Sequence, residues 1–179
     1  MLGISGSIRK KSYNTALLHA VTKLKPENMK VEIFGLEDIP FYNADHDGGV
    51  LPEPVRIFKQ KIAEVDSLLI ASPEYNYSFT GILKNAIDWA SRPPSNSPLS
   101  KKPYAVMGVS GGISGTMRSQ SHFRQVATAC NMYGMNNPGI YITMGKNKFN
   151  ENGDLTDEPS IEHLRKFITA FYEWTIKFL

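Results

Sequence analysis

Met1-Leu2-Gly3-Ile4-Ser5-Gly6-Ser7-Ile8-Arg9-Lys10-Lys11-Ser12-Tyr13-Asn14-Thr15 opens the chain. A short apolar run ends in a loop rich in hydroxyls and cations. That loop feeds a helical pattern in which Leu17, Leu18, Val21 and Leu24 share one face. The same alternation recurs to the end of the sequence. Strand candidates are residues 1–5, 31–34, 67–71, 104–109 and 139–144. Three of them are nearly continuous apolar runs, as expected of strands covered on both faces. Helical spacing marks Val55, Phe58, Ile62 and Val65, then Leu83, Ala86, Ile87 and Ala90. It returns at Phe123, Val126, Ala127 and Cys130, and last at Ile161, Leu164, Ile168 and Phe171. Five strands, each followed by a helix, predict right-handed crossovers and a doubly wound, three-layer α/β fold around a five-stranded parallel sheet.

Length and composition fit that reading. The chain has 179 residues, 41% of them hydrophobic and 21% charged, which suits one domain over residues 1–179 with a real core. A net charge of +3 without a long Lys/Arg run asks for no nucleic-acid partner. No apolar run reaches the roughly 18 residues of a membrane-spanning helix. The start lacks the charge, apolar stretch and cleavage site of a secretory signal, so a cytoplasmic protein is expected. The lone Cys130 excludes an internal disulfide and a multi-cysteine metal site. His19, His46 and His163 are scattered and give no metal-ligand spacing.

In doubly wound sheets, ligands bind beyond the carboxyl ends of the strands where strand order reverses. The loops after strands one, three and four are the unusual ones here. In the first, Ser7, Ser12, Asn14 and Thr15 are neutral donors, Arg9 is a forked cation, and a helix start supplies unpaired N–H groups. Together these suit a phosphate dianion, although Ser12 or Asn14 would serve equally as a helix cap. Neither G-x-x-x-x-G-K-[ST] nor G-x-G-x-x-G is present. The second loop holds Pro73, Glu74, Tyr75, Asn76 and Tyr77, which combine a stiff turn, an amide and flat aromatic surface. The third begins Ser110-Gly111-Gly112, where a backbone can approach a flat ring. Each loop alone is ordinary turn chemistry. Their joint placement at the expected switch point suggests a planar, phosphorylated ligand.

Gly6-Ser7-Ile8-Arg9-x-x-Ser12-x-Asn14, Pro73-Glu74-Tyr75-Asn76-Tyr77-Ser78 and Gly81-Ile82-Leu83-Lys84-Asn85-Ala86-Ile87-Asp88-Trp89 resemble the NADPH-dependent FMN reductase family. That family includes bacterial chromate/quinone reductases and azoreductases of the flavodoxin-like fold. The resemblance implies strand order 2-1-3-4-5 and tightly bound FMN. It places Ser7, Arg9, Ser12, Asn14 and Thr15 at the FMN phosphate. It places Pro73, Glu74, Tyr75, Asn76 and Tyr77 beside the isoalloxazine, and Ser110, Gly111 and Gly112 at its other edge. Only four residues precede Ser5, so the first strand is expected to be short for the family.

The activity implied is two-electron reduction of quinone, azo, chromate or flavin acceptors by NADPH or NADH in a ping-pong cycle. Hydride chemistry belongs to the flavin, so no side chain is named as catalytic. A flavodoxin-type electron carrier is the alternative, but carriers of that kind usually present acidic faces, against the +3 here. A cofactor-free interaction module is the third reading, opposed by the intact Arg9, Asn14 and Asn76 set. The partners expected are a small-molecule electron acceptor and copies of the same chain, as a homodimer or homotetramer. Glu74 and Asp88 stand as an acid/base pair or as solvated and capping groups. His122 stands as a substrate donor or an exposed helix residue. Arg118 and Arg124 are candidates for a nicotinamide phosphate or a subunit contact, or for solvated surface. Phe167, Phe171, Tyr172, Trp174 and Phe178 exceed one helix face, which leaves a dimer surface open as an explanation.

Overall fold

Residues 1–179 are described by a computed structural model. Its strands are β1 (Leu2–Ser5), β2 (Glu32–Phe34), β3 (Leu68–Ala71), β4 (Pro103–Val109), β5 (Tyr133–Gly134) and β6 (Ile140–Ile142). Its helices are α1 (Tyr13–Leu24), α2 (Glu53–Glu64), α3 (Gly81–Ala90), α4 (Met117–Ala129) and α5 (Glu158–Ile176). All strand pairs are parallel, in the order β2-β1-β3-β4-β5, with β6 also pairing β4. This is the flavodoxin-like order 2-1-3-4-5 expected from the resemblance.

Period-two alternation divides the sheet between two cores. Leu68 and Ile70 face a cluster with Phe58, Ile62, Leu83, Trp89 and Phe123, which belong to α2, α3 and α4. Leu69 and Ala71 face the opposite cluster with Leu17, Leu18, Val21, Phe167 and Phe171, from α1 and α5. The helices therefore form a layer on each side. β1, β3 and β4 are buried along their whole length, which explains their continuous apolar reading. β1 is four residues long, as expected, yet pairs on both sides, Ile4 lying opposite both Phe34 and Ile70.

The fifth strand position differs from expectation. Instead of one strand over 139–144, β5 and β6 share it. Tyr133 lies opposite Pro103, and Ile140 lies opposite Met107. The chain between them is held by Arg124, whose Nη1 donates to the Met135 carbonyl at 3.0 Å and to Asn136 Oδ1 at 3.3 Å. Arg124 therefore fastens the segment that follows α4. The aromatic excess of α5 is also resolved. Phe167 and Phe171 are core. Trp174 Nε1 donates to the Tyr133 carbonyl at 3.2 Å, and Phe178 packs on Tyr133 with ring centroids 4.9 Å apart. Trp174 and Phe178 thus pack on the short β5, while Phe178 remains 40% exposed.

Cys130, half-buried where α4 ends, has its thiol pushed up by burial first and then by the Asp88 carboxylate. No helix is long and apolar enough to cross a membrane.

Candidate functional site

β1, β3 and β4 end side by side, and three long-range clasps bring their loops together. Gly6 N–H donates to the Ala71 carbonyl at 2.8 Å, and Thr80 Oγ1 donates to the Gly6 carbonyl at 2.6 Å. These tie the first loop to the second. Asn14 then ties the first to the third: its Nδ2 donates to the Val109 carbonyl at 3.0 Å and its Oδ1 accepts from Val109 N–H at 2.9 Å. Last, Glu74 accepts from the N–H groups of Arg118 and Ser119, at 3.0 and 3.3 Å, and from Arg118 Nη1 at 2.9 Å. That clasp fastens the second loop to the start of α4, where unpaired N–H groups favour a carboxylate.

Within the first loop, the N–H groups of Ile8, Lys10, Lys11 and Ser12 meet no acceptor in the protein. Ser12 caps α1, its hydroxyl accepting from Thr15 N–H at 3.4 Å. Thr15 Oγ1 shares a 2.8 Å hydrogen bond with Ser5 Oγ, and Ser7 Oγ accepts from Arg9 N–H at 3.4 Å. The guanidinium of Arg9 lies 5.6 Å from the Tyr13 ring centroid and joins no ion pair. Four free N–H groups, a helix start and an unpaired arginine make a phosphate cradle.

The second loop is a closed two-residue turn. Tyr75 and Ser78 exchange both backbone hydrogen bonds, at 2.9 and 3.0 Å. Between them Asn76 and Tyr77 have φ of 50° and 69°. Left-handed backbone costs a bulky residue on the order of 1–2 kcal/mol, so the surrounding contacts must enforce it. α4 does so. Arg118 stacks on the Tyr77 ring with 4.0 Å from its guanidinium carbon to the centroid, and His122 Nδ1 lies 3.1 Å from Ser78 Oγ. Tyr75 and Tyr77 stay exposed, and the Asn76 N–H is free.

In the third loop Ser110 Oγ donates to the Gly112 carbonyl at 2.9 Å and accepts from Gly115 N–H at 3.1 Å. That internal staple leaves Gly111 and Gly112 exposed, with free N–H groups and open space where a Cβ would stand. Free donors at Asn76, Gly111 and Gly112, beside exposed tyrosine rings, suit the polar edge and face of a flavin. The residues present thus fit FMN.

Several sequence expectations are revised by this geometry. Asn14, 3% exposed, spends both ends of its amide on Val109 and is not turned to a phosphate. Glu74 spends its carboxylate on Arg118 and the start of α4. Pro73 is buried, its carbonyl accepting from Ser72 Oγ and Ser119 Oγ, so it supports the loop from beneath. Asp88 pairs with Lys84 on α3, away from Glu74. Arg118 and His122, left between ligand contact and exposed surface by the sequence, join the frame of these loops. Their i,i+4 spacing puts them on one face of α4 but does not name the loop that face meets.

Burial raises the affinity of Glu74 for a proton, but the Arg118 guanidinium and the two N–H groups outweigh it and hold the carboxyl below its ordinary 4.5. A depressed folded value means stability that is present above the ordinary value and lost as pH falls through the folded one. At neutral pH Glu74→Gln is therefore expected to unfold at lower temperature than the parent. The gap should close as pH drops below about 4.5. Melting curves across that range check it, and a gap independent of pH contradicts the clasp.

Comparison with known proteins came out in one direction. A model of the NADPH-dependent FMN reductase family matches residues 1–147. An NAD(P)H-dependent FMN reductase of Pseudomonas aeruginosa is 42% identical, over 97% of this chain and 94% of its own. A 2-hydroxy-1,4-benzoquinone reductase of Burkholderia sp. is 39% identical, over 96% and 93%. Among solved structures, a flavoenzyme NAD(P)H:(acceptor) oxidoreductase from Paracoccus denitrificans superposes with a TM-score of 0.86 at 34% identity, covering 98% of this chain and 96% of that one.

Proposed function

This chain belongs to the NADPH-dependent FMN reductase family, and from that premise we propose that it is an FMN-dependent NAD(P)H oxidoreductase. Its acceptors are small molecules: quinones, azo compounds, chromate or free flavin. The observation that carries the reading is the set of unpartnered N–H groups at Ile8, Lys10, Lys11, Ser12, Asn76, Gly111 and Gly112, all at the ends of β1, β3 and β4.

When bound, FMN supplies two-electron transfer between a nicotinamide and an acceptor. The chain's own work is binding and tuning. Ser7, Arg9, Ser12 and Thr15, with the start of α1, hold the phosphate. The N–H groups of Asn76, Gly111 and Gly112 bond the ring's polar edge and stabilise negative charge there. Tyr75 and Tyr77 wall the ring, and Asn14, Glu74 and Arg118 keep the three loops in register. No side chain is needed as a nucleophile. The electron-carrier alternative is not favoured, because the similar proteins are reductases over nearly the whole chain.

The same proposal extends to a cytoplasmic homodimer or homotetramer. Support comes from Phe41 and Val50, 90% and 93% exposed on the segment between β2 and α2. That segment is pinned where Asn85 Nδ2 and Trp89 Nε1 both donate to the Pro40 carbonyl, at 2.9 and 2.8 Å. A well-anchored loop that keeps large apolar side chains in water fits an interface.

A visible spectrum of the purified protein after FMN addition, then anaerobic bleaching by NADPH or NADH and steady oxidation with a quinone, tests the reading. A yellow protein that bleaches and turns over is expected. Absence of turnover with a bound flavin would return the carrier, and failure to bind FMN would remove both. Arg9→Ala is expected to weaken FMN binding about ten- to a hundredfold, since a charge-assisted hydrogen bond contributes roughly 1.5–3 kcal/mol. Unchanged affinity on titration would remove Arg9 from the phosphate.

A further inference from the structure

Tyr13, the first residue of α1, has a half-buried ring that is braced by a part of the chain far away in sequence. Phe149, 7% exposed, packs on it with ring centroids 5.3 Å apart and planes 31° apart. Phe149 is itself fixed. It bridges to Leu155, and next to it Thr156 N–H donates to the Lys148 carbonyl at 2.9 Å. Gly145, just after β6, is the second support. A Cβ there would stand 3.2 Å from Tyr13 Cδ2, 2.6 Å from Val109 Cγ1 and 3.3 Å from the Ser110 carbonyl oxygen, so the ring comes close only because no side chain intervenes. Gly145 N–H donates to that Ser110 carbonyl at 2.9 Å, and Met144 N–H donates to the Gly112 carbonyl at 3.0 Å. The Tyr13 ring thus rests on a segment bonded to the third loop.

The ring has a further neighbour. The guanidinium carbon of Arg9 stands over it, 5.6 Å from the centroid. Arg9 is exposed, and no carboxylate holds it. A long exposed side chain keeps its rotamer freedom until an anion removes it, and that loss weakens binding. An aromatic face attracts a guanidinium through the ring quadrupole and limits that freedom in advance. The contacts with Phe149 and with Arg9 are made by the ring and not by the hydroxyl, so the hydroxyl is dispensable to both.

We propose that Tyr13 is a positioning residue for the flavin phosphate. Its ring, backed by Phe149 and Gly145, sets the Arg9 guanidinium at the cradle made by the N–H groups of Ile8, Lys10, Lys11 and Ser12. The inference rests on the FMN reading above, and adds what keeps the cation of the phosphate site in place. Tyr13 acts through Arg9 and needs no contact of its own with the ligand.

The test compares FMN with riboflavin, which lacks the phosphate, by titrating the full chain freed of flavin. The parent is expected to bind FMN more tightly than riboflavin. Tyr13→Leu lowers that preference about two- to fivefold, the size of an exposed cation–π contact. Tyr13→Phe, which keeps the ring, retains the parental preference. In an Arg9→Ala background, Tyr13→Leu lowers it no further, because the residue it positions is gone. A purely structural role would weaken both flavins alike and leave the preference unchanged. If Tyr13→Leu does not fold, Tyr13→Met, close in volume but without an aromatic face, takes its place. An unchanged preference in the ringless variant, or a further fall on top of Arg9→Ala, overturns the proposal. A parent that binds the two flavins equally defeats the phosphate reading itself, whereas a parent that separates them leaves only the part of Tyr13 to be decided.

Discussion

Asn14→Leu is expected to lower the melting temperature by about 5–15 °C and to abolish FMN retention. The substitution keeps the side chain's size but strands the Val109 N–H and carbonyl, which Asn14 now satisfies at 2.9 and 3.0 Å. Val109 is 2% exposed and Asn14 3%, so water cannot replace the amide. A buried backbone group left unpaired costs roughly 1–3 kcal/mol, and two of them about 2–6 kcal/mol. For a domain of this size each kcal/mol is worth roughly 2–4 °C. The functional loss has the same origin, because this clasp is what holds the first loop against the third. Thermal melts with and without FMN, together with a flavin titration, measure both effects. A variant that melts within about 2 °C of the parent would show that the amide bonds are dispensable.

Gly108→Ala carries the second large effect. Gly108 lies inside β4, where an added Cβ would overlap Thr116 Oγ1 and approach the Ser72 carbonyl oxygen to 2.6 Å. Neither neighbour can retreat. Ser72 and Thr116 are both fully buried. Ser72 N–H bonds the Met107 carbonyl at 3.1 Å, and Thr116 Oγ1 accepts from Gln120 Nε2 at 3.0 Å. Overpacking a rigid core usually costs about 1–3 kcal/mol, and backbone displacement sets this site at or above the upper end. Because Thr116 leads into α4, the displacement passes to Arg118 and hence to the Tyr77 turn, so flavin affinity should fall with stability. Adding Thr116→Ala to Gly108→Ala removes the hydroxyl overlap but leaves the Ser72 carbonyl oxygen at 2.6 Å and the position-116 Cβ at 2.9 Å, so partial recovery of the melting temperature is expected. Full recovery would assign the whole cost to the Thr116 hydroxyl, and none would assign it to the two contacts that remain.

Both predictions concern contacts the sequence displays only as residue types. What the sequence made legible was governed by local periodicity. Leu68 through Ala71 read as a strand because every residue is apolar, and they are buried on both faces. The face of α1 through Leu17, Leu18 and Val21 was legible for the same reason. Tyr133–Gly134 was not, because two residues make no pattern and their pairing with Pro103 and Tyr104 is set by the neighbouring strand. At the site, loop composition pointed to the three strand ends whose loops the clasps join. It did not tell a residue that faces a ligand from one that fastens the frame. Asn14 and Glu74 carry the donors and charge of ligand contacts, yet their partners lie 95 and 44 residues away. Arg118 stacking on Tyr77 depends on how α4 crosses the second loop, which no spacing within either segment encodes.

The placement of the chain's one thiol has a chemical corollary. Quinones are soft electrophiles that arylate cysteine by conjugate addition, and the thiolate is the form that adds. Cys130 is held protonated by burial and by the negative charge of Asp88, and is half-covered where α4 ends. An enzyme whose proposed acceptors include such electrophiles thus offers them no good nucleophile of its own. Alkylation of that thiol should therefore not limit its working life in their presence.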